Sequence, residues 1–147
     1  MKLQSELPVY ESQIEQFCNR VDERFHPDCI ILHGSLVRGT YSHSSDADII
    51  VISDRLPENF FERAFELNQL RDGTAPIEVV GYTKLEWEQM MQHLHLTVLE
   101  ALHWGIPLHG EALFEQWKSK LNEWQSMGLC REETSWSVPK ALRQRIH

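Results

Sequence analysis

Asp46 and Asp48 stand two residues apart and run straight into Ile49-Ile50-Val51-Ile52. On an extended strand, residues two apart point to the same side, so both carboxylates would face one way and Ala47 the other. Two carboxylates that close repel each other, and a divalent cation removes that cost. Hard oxygen ligands of this kind suit Mg2+ or Mn2+. Ten residues separate the pair from Gly34-Ser35, which follows the apolar run Cys29-Ile30-Ile31-Leu32. A glycine lets backbone amides come close to a ligand, and free amides at the start of a helical turn bind anions. The Ser35 hydroxyl lies beside those amides, and Arg38, one turn on, can add a charge-assisted contact to phosphate. The chemistry implied is a phosphate group held next to a metal.

A two-metal centre needs a third carboxylate, and Asp54, Glu58, Asp72 and Glu78 are the candidates. Asp54 has the right parity but lies about 20 Å along the strand from Asp48, too far to share an ion. Glu58 at a helix start and Asp72 in a turn have sufficient local reasons to be acidic. Glu78 is different, because it interrupts the apolar run Ile77-Glu78-Val79-Val80. An edge strand with a solvated face would also explain it. If the strands carrying Asp48 and Glu78 are neighbours, the acids can converge. His33, next to the Gly-Ser pair, receives no role.

The elements that must position these groups follow from periodicity. Val9, Ile14, Phe17, Cys18, Val21 and Phe25 recur at helical spacing, so residues 9–25 read as an amphipathic helix. Cys29–Leu32 reads as a buried strand and Asp46–Ser53 as a second. Pro57 opens a helix to about Arg71, with Phe60, Phe61, Ala64, Phe65, Leu67 and Leu70 as its apolar content. Residues 72–74 are a turn, Pro76–Tyr82 a third strand, and Thr83 the cap of a further helix. Helical sequence continues through Leu94 to Trp104, where Gly105-Ile106-Pro107 breaks it. Residues 110–127 form another helix, with Trp117 and Trp124 on its apolar stripe. His93-Leu94-His95 and His103 do not read as a zinc site, since no Cys or third ligand shows metal spacing and the segment reads as helical, where i and i+2 face apart. The basic tail residues Arg131, Lys140, Arg143 and Arg145 read as solvated surface, with an acceptor-binding edge as the alternative. The whole is an α/β arrangement with a helical C-terminal half.

The chain has 147 residues, which predicts a single domain over 1–147. Its net charge of −8 argues against a large nucleic-acid footprint, which needs clustered Lys and Arg. Cys18, Cys29 and Cys130 form no CxxC and read as reduced thiols of a cytoplasmic protein. Residues 1–13 hold no apolar h-region and no 18-residue apolar run occurs, so neither a signal peptide nor a membrane span is expected. There is no Walker-type phosphate loop and no Gly-x-Gly-x-x-Gly fingerprint.

Together these parts resemble the nucleotidyltransferase superfamily of DNA polymerase beta: Gly-Ser, ten residues, Asp-x-Asp and a distant third acid. The stretch GSLVRGTYSHSSDADIIV is most similar to the minimal nucleotidyltransferases (MNT), and the resemblance implies a core at about 28–110 with an extension at 110–147. The resemblance implies a small mixed sheet flanked by helices with a helical C-terminal part. It implies that Gly34, Ser35 and Arg38 hold the phosphates of ATP or another NTP. It further implies that Asp46, Asp48 and Glu78 bind Mg2+ or Mn2+ and are catalytic, although the third position more often carries Asp. The implied reaction transfers NMP to a hydroxyl. Many similar proteins are antitoxins that modify a helical HEPN-type partner, so a protein acceptor and a homo- or hetero-oligomer are expected. A small-molecule acceptor of the aminoglycoside type, or a non-catalytic neutralising partner, is the alternative.

Overall fold

The computed structural model describes residues 8–34, 47–72 and 76–146. Their elements run α1 (Pro8–Phe25), β1 (Cys29–His33), β2 (Ala47–Ile52), α2 (Phe60–Gln69), β3 (Ile77–Tyr82), α3 (Lys84–Gln92), α4 (Leu96–Trp104), β4 (Ile106–His109), α5 (Glu111–Ser126), β5 (Cys130–Arg131) and β6 (Trp136–Ser137), then a 3-10 helix at Lys140–Arg145. Four strands form one sheet in the order β3-β2-β1-β4. β1 is antiparallel to both β2 and β4, whereas β2 and β3 are parallel, so the sheet is mixed.

Helices cover both faces of the sheet. Ile14, Phe17, Val21 and Phe25 of α1 and Leu67 of α2 pack against Ile30, Leu32, Ile49 and Val51. On the other face, Trp87, Val98, Leu102, Phe114, Trp117 and Trp124 pack against Cys29, Ile31, Ile50 and Ile52. The central strands β1 and β2 are therefore apolar at consecutive positions, as burial on two sides demands. Trp117 and Trp124 belong to the core, as their stripe predicts.

Local chemistry sets the helix starts. Asn59 accepts from the Phe61 and Glu62 amides at the head of α2, and Thr83 with Glu86 forms a capping box at α3. The buried Arg63 of α2 ties the two together: its Nη1 and Nη2 donate to Glu86 at 2.7 and 3.3 Å. Burial pushes the Glu86 carboxyl up, but the Arg63 hydrogen bond and the Thr83 amide outweigh it, and the net shift is downward.

Three elements differ from the sequence expectation. Residues 93–95 are not helical: Leu94 has φ 55°, and His95 caps α4 by accepting from the Thr97 amide. Leu94 is buried, so core packing holds a backbone conformation that propensity disfavours. The Gly105-Ile106-Pro107 break leads directly into β4, an edge strand, where a proline is tolerated. The tail is not simply solvated surface. Arg131 pairs with Glu100 of α4 at 2.8 Å, and Arg145 donates to Gln92 of α3.

Candidate active site

The site forms where one end of the sheet meets α4. In register, His33 of β1 lies opposite Asp48 of β2, and Asp48 lies beside Glu78 of β3. Alternation places all three on the face that carries Ile31, Ile50 and Val80. Parallel neighbours stand about 4.8 Å apart, so Asp48 and Glu78 form a cross-strand pair of acids. The edge-strand explanation of Glu78 also holds, since β3 is an edge and Glu78 is exposed. What singles Glu78 out is its register with Asp48, not its burial.

Gly34 closes β1 with φ +93°, a region that L side chains rarely adopt. A Cβ placed there would stand 2.0 Å from Asp48 Oδ2 and 3.0 Å from its Cγ. Its own backbone and the Asp48 carboxylate lying against it thus both favour glycine. Ser35, Arg38 and Asp46 lie outside the described residues. Of the sequence-predicted site, the structure brings together Gly34, Asp48 and Glu78.

Two cavities meet at His33, Asp48 and Thr97. The larger, about 490 Å3, runs along β3 and takes in Glu78, Val80 and Tyr82 from that strand with Asn68 and Arg71 from the α2 end. Burial, and secondarily the Glu86 charge, pushes the Tyr82 hydroxyl up, so it stays protonated. The smaller, about 260 Å3, is bounded by Gly34 and by Thr97, Glu100 and Trp104 of α4. Sequence reasoning missed Asn68, Arg71, Thr97, Glu100 and Trp104. The signal available was the spacing of 97, 100 and 104, which places them on one helix face. Burial, with Lys118 and Arg131 nearby, lowers the His103 pKa against the opposing pull of Glu100, so this ring is neutral at pH 7.

The donor set fits a small hard cation. Asp48 and Glu78 offer carboxylate oxygens from adjacent strands to one cavity. Mg2+ is commonly held by one or two carboxylates, with substrate phosphates completing its shell. Among the described residues no cluster of three or more His, Cys, Asp or Glu gathers around one point. Among them, too, no helix is long and apolar enough to cross a membrane.

The family model for the nucleotidyltransferase domain matches residues 14–101, more than half of the chain. No curated protein matches it. Among solved structures, a toxin-antitoxin with AMP-PNP is similar at 21% identity and a TM-score of 0.48, covering 77% of this chain and 87% of the other. A Shewanella oneidensis tri-AMPylated HEPN toxin in complex with MNT antitoxin is similar at 18% identity and a TM-score of 0.44, covering 82% and 87%.

Proposed function

The chain belongs to the nucleotidyltransferase domain family, and on that premise we propose that it transfers AMP from ATP to a hydroxyl of a protein acceptor. The observation that carries the reading is the in-register pair Asp48 and Glu78 lining one cavity, with Gly34 against the Asp48 carboxylate. Gly34, Ser35 and Arg38 hold the phosphates. Asp46, Asp48 and Glu78 hold Mg2+ or Mn2+, which when bound neutralises phosphate charge and eases deprotonation of the acceptor. Glu78 accepts the hydroxyl proton. The acceptor oxygen forms a bond to the α-phosphorus, the bond from that phosphorus to the bridging oxygen breaks, and pyrophosphate leaves.

A protein acceptor is supported by α2. Phe61 and Phe65, one turn apart, are 86% and 64% exposed, and the same face continues to Asn68 at the larger cavity. An aromatic stripe leading to a catalytic cavity suits a macromolecule that docks and presents a side chain. The resemblance of the motif points to a HEPN-type helical protein as that macromolecule. The test is incubation of the purified protein with cell lysate, Mg2+ and ATP labelled at either the α- or the γ-phosphate. Protein labelled from the α-position alone is the expected result. Label from the γ-position, or label on small molecules only, would contradict it.

A further inference from the structure

The smaller cavity has a wall that the matched segment, residues 14–101, does not itself hold in place. Glu100 of α4 is gripped by Arg131, whose Nε donates to Oε2 at 2.8 Å and Nη2 to Oε1 at 3.0 Å. Trp136 Nε1 donates to the same Oε2 at 3.0 Å. The Glu100 and Arg131 side chains are 21% and 18% exposed, so this fork-to-fork contact is partly shielded and fixes orientation as well as charge. The Arg131 guanidinium lies 5.2 Å from the Trp104 ring centre. His103 stands edge-on to both Trp104 and Trp136, with centroids 4.8 and 5.5 Å away. The β5-β6 hairpin that supplies Arg131 and Trp136 has two residues per strand and could not be stable alone. It is held by what it grips.

We infer that the Trp104 surface of α4, locked by the C-terminal hairpin, is where the nucleoside moiety of the nucleotide lies. Trp104 is then a nucleoside-binding residue and Arg131 a positioning residue. The inference rests on the nucleotidyl-transfer reading above. Gly34 borders the smaller cavity, whereas Glu78 borders only the larger one. Phosphates held at Gly34 therefore leave the nucleoside on the α4 side, while the acceptor hydroxyl approaches Glu78 from the β3 side. An indole offers a flat surface on which any base can stack, and Thr97 lines the boundary between the two cavities. Arg131 also neutralises Glu100, a carboxylate that would otherwise repel the polyphosphate. The indole N–H of Trp104 is enclosed without an acceptor among the described residues, so no hydrogen bond of its own accounts for the ring's position.

Calorimetric titration of the full chain separates nucleoside contacts from phosphate contacts. Two ligands are used with Mg2+: a non-hydrolysable ATP analogue and inorganic tripolyphosphate. Trp104→Leu should weaken the analogue at least about fivefold, as loss of one stacking surface implies, and leave tripolyphosphate unchanged. Trp104→Phe, which keeps a flat ring, should hold the analogue within about twofold. Arg131→Lys keeps the charge but loses the fork, so it should weaken the analogue alone; this variant carries the comparison if Trp104→Leu does not fold. Equal losses for both ligands, or an unchanged analogue affinity in Trp104→Leu and Arg131→Lys, would overturn the inference. A wild-type chain that binds neither ligand would instead overturn the reading beneath it.

Discussion

Gly34 carries two constraints in one position. Its φ of +93° costs a non-glycine residue about 1–2 kcal/mol. Independently, a Cβ there would displace the Asp48 carboxylate. The first cost falls on stability and the second on chemistry, so they can be separated. Gly34→Ala should lower the melting temperature by a few degrees, as a loss of that size implies for a chain of this length. It should also reduce transfer at least about tenfold. Thermal denaturation alongside initial rates checks both, and full transfer at a lowered melting temperature would show that the Asp48 position is not critical. The sequence identified Gly34 through its place in a motif, as a close-approach glycine for a ligand. That its nearest neighbour is a carboxylate of the same site was not legible, because the contact joins residues 14 apart through an antiparallel pair.

At the scale of elements, the strands were legible where burial is two-sided. Cys29–Leu32 and Ile49–Ile52 are unbroken apolar runs, and the strands observed there are buried throughout their centres. β4 was not legible, since four residues with a proline carry no pattern that outweighs a break. The left-handed Leu94 is likewise invisible, because its conformation follows from packing. Phe60, Phe61 and Phe65 look like core residues at helical spacing, yet all three are largely exposed; Leu67 and the buried Arg63 face inward instead. Phe61→Ser combined with Phe65→Ser should leave the melting temperature within about 2 °C, since exposed positions contribute little. The KM for the protein acceptor should rise severalfold, with the KM for ATP unchanged. An unchanged acceptor KM would remove α2 from the docking path.

For the whole molecule, the C-terminal hairpin and 3-10 helix fold back onto α3 and α4 through Arg131, Trp136 and Arg145. Basic residues in a tail signal solvated surface by composition alone, and only tertiary pairing reveals that Arg131 is committed to Glu100. Closure of the two-sided core also governs the thiols. Burial, reinforced by Glu15 and Asp28 respectively, pushes Cys18 and Cys29 up to about 12, whereas Cys130 is exposed. Only thiolates alkylate readily, so iodoacetamide at pH 8 should modify Cys130 alone in the native chain and all three cysteines after denaturation. Mass spectrometry of the intact protein reads the number directly, and native modification of Cys29 would contradict the packing of β1.

The convergence of Asp48 and Glu78 is a property of the whole sheet, since it needs β2 and β3 to be parallel neighbours in one register. The most direct test is the rate at which α-labelled ATP marks protein in lysate, compared across Asp48→Asn, Glu78→Gln and the double variant. Groups that act as one unit lose their contribution together. Each single variant should therefore fall at least about a thousandfold, with little further loss in the double variant. Transfer by folded Glu78→Gln at close to the wild-type rate would contradict the account.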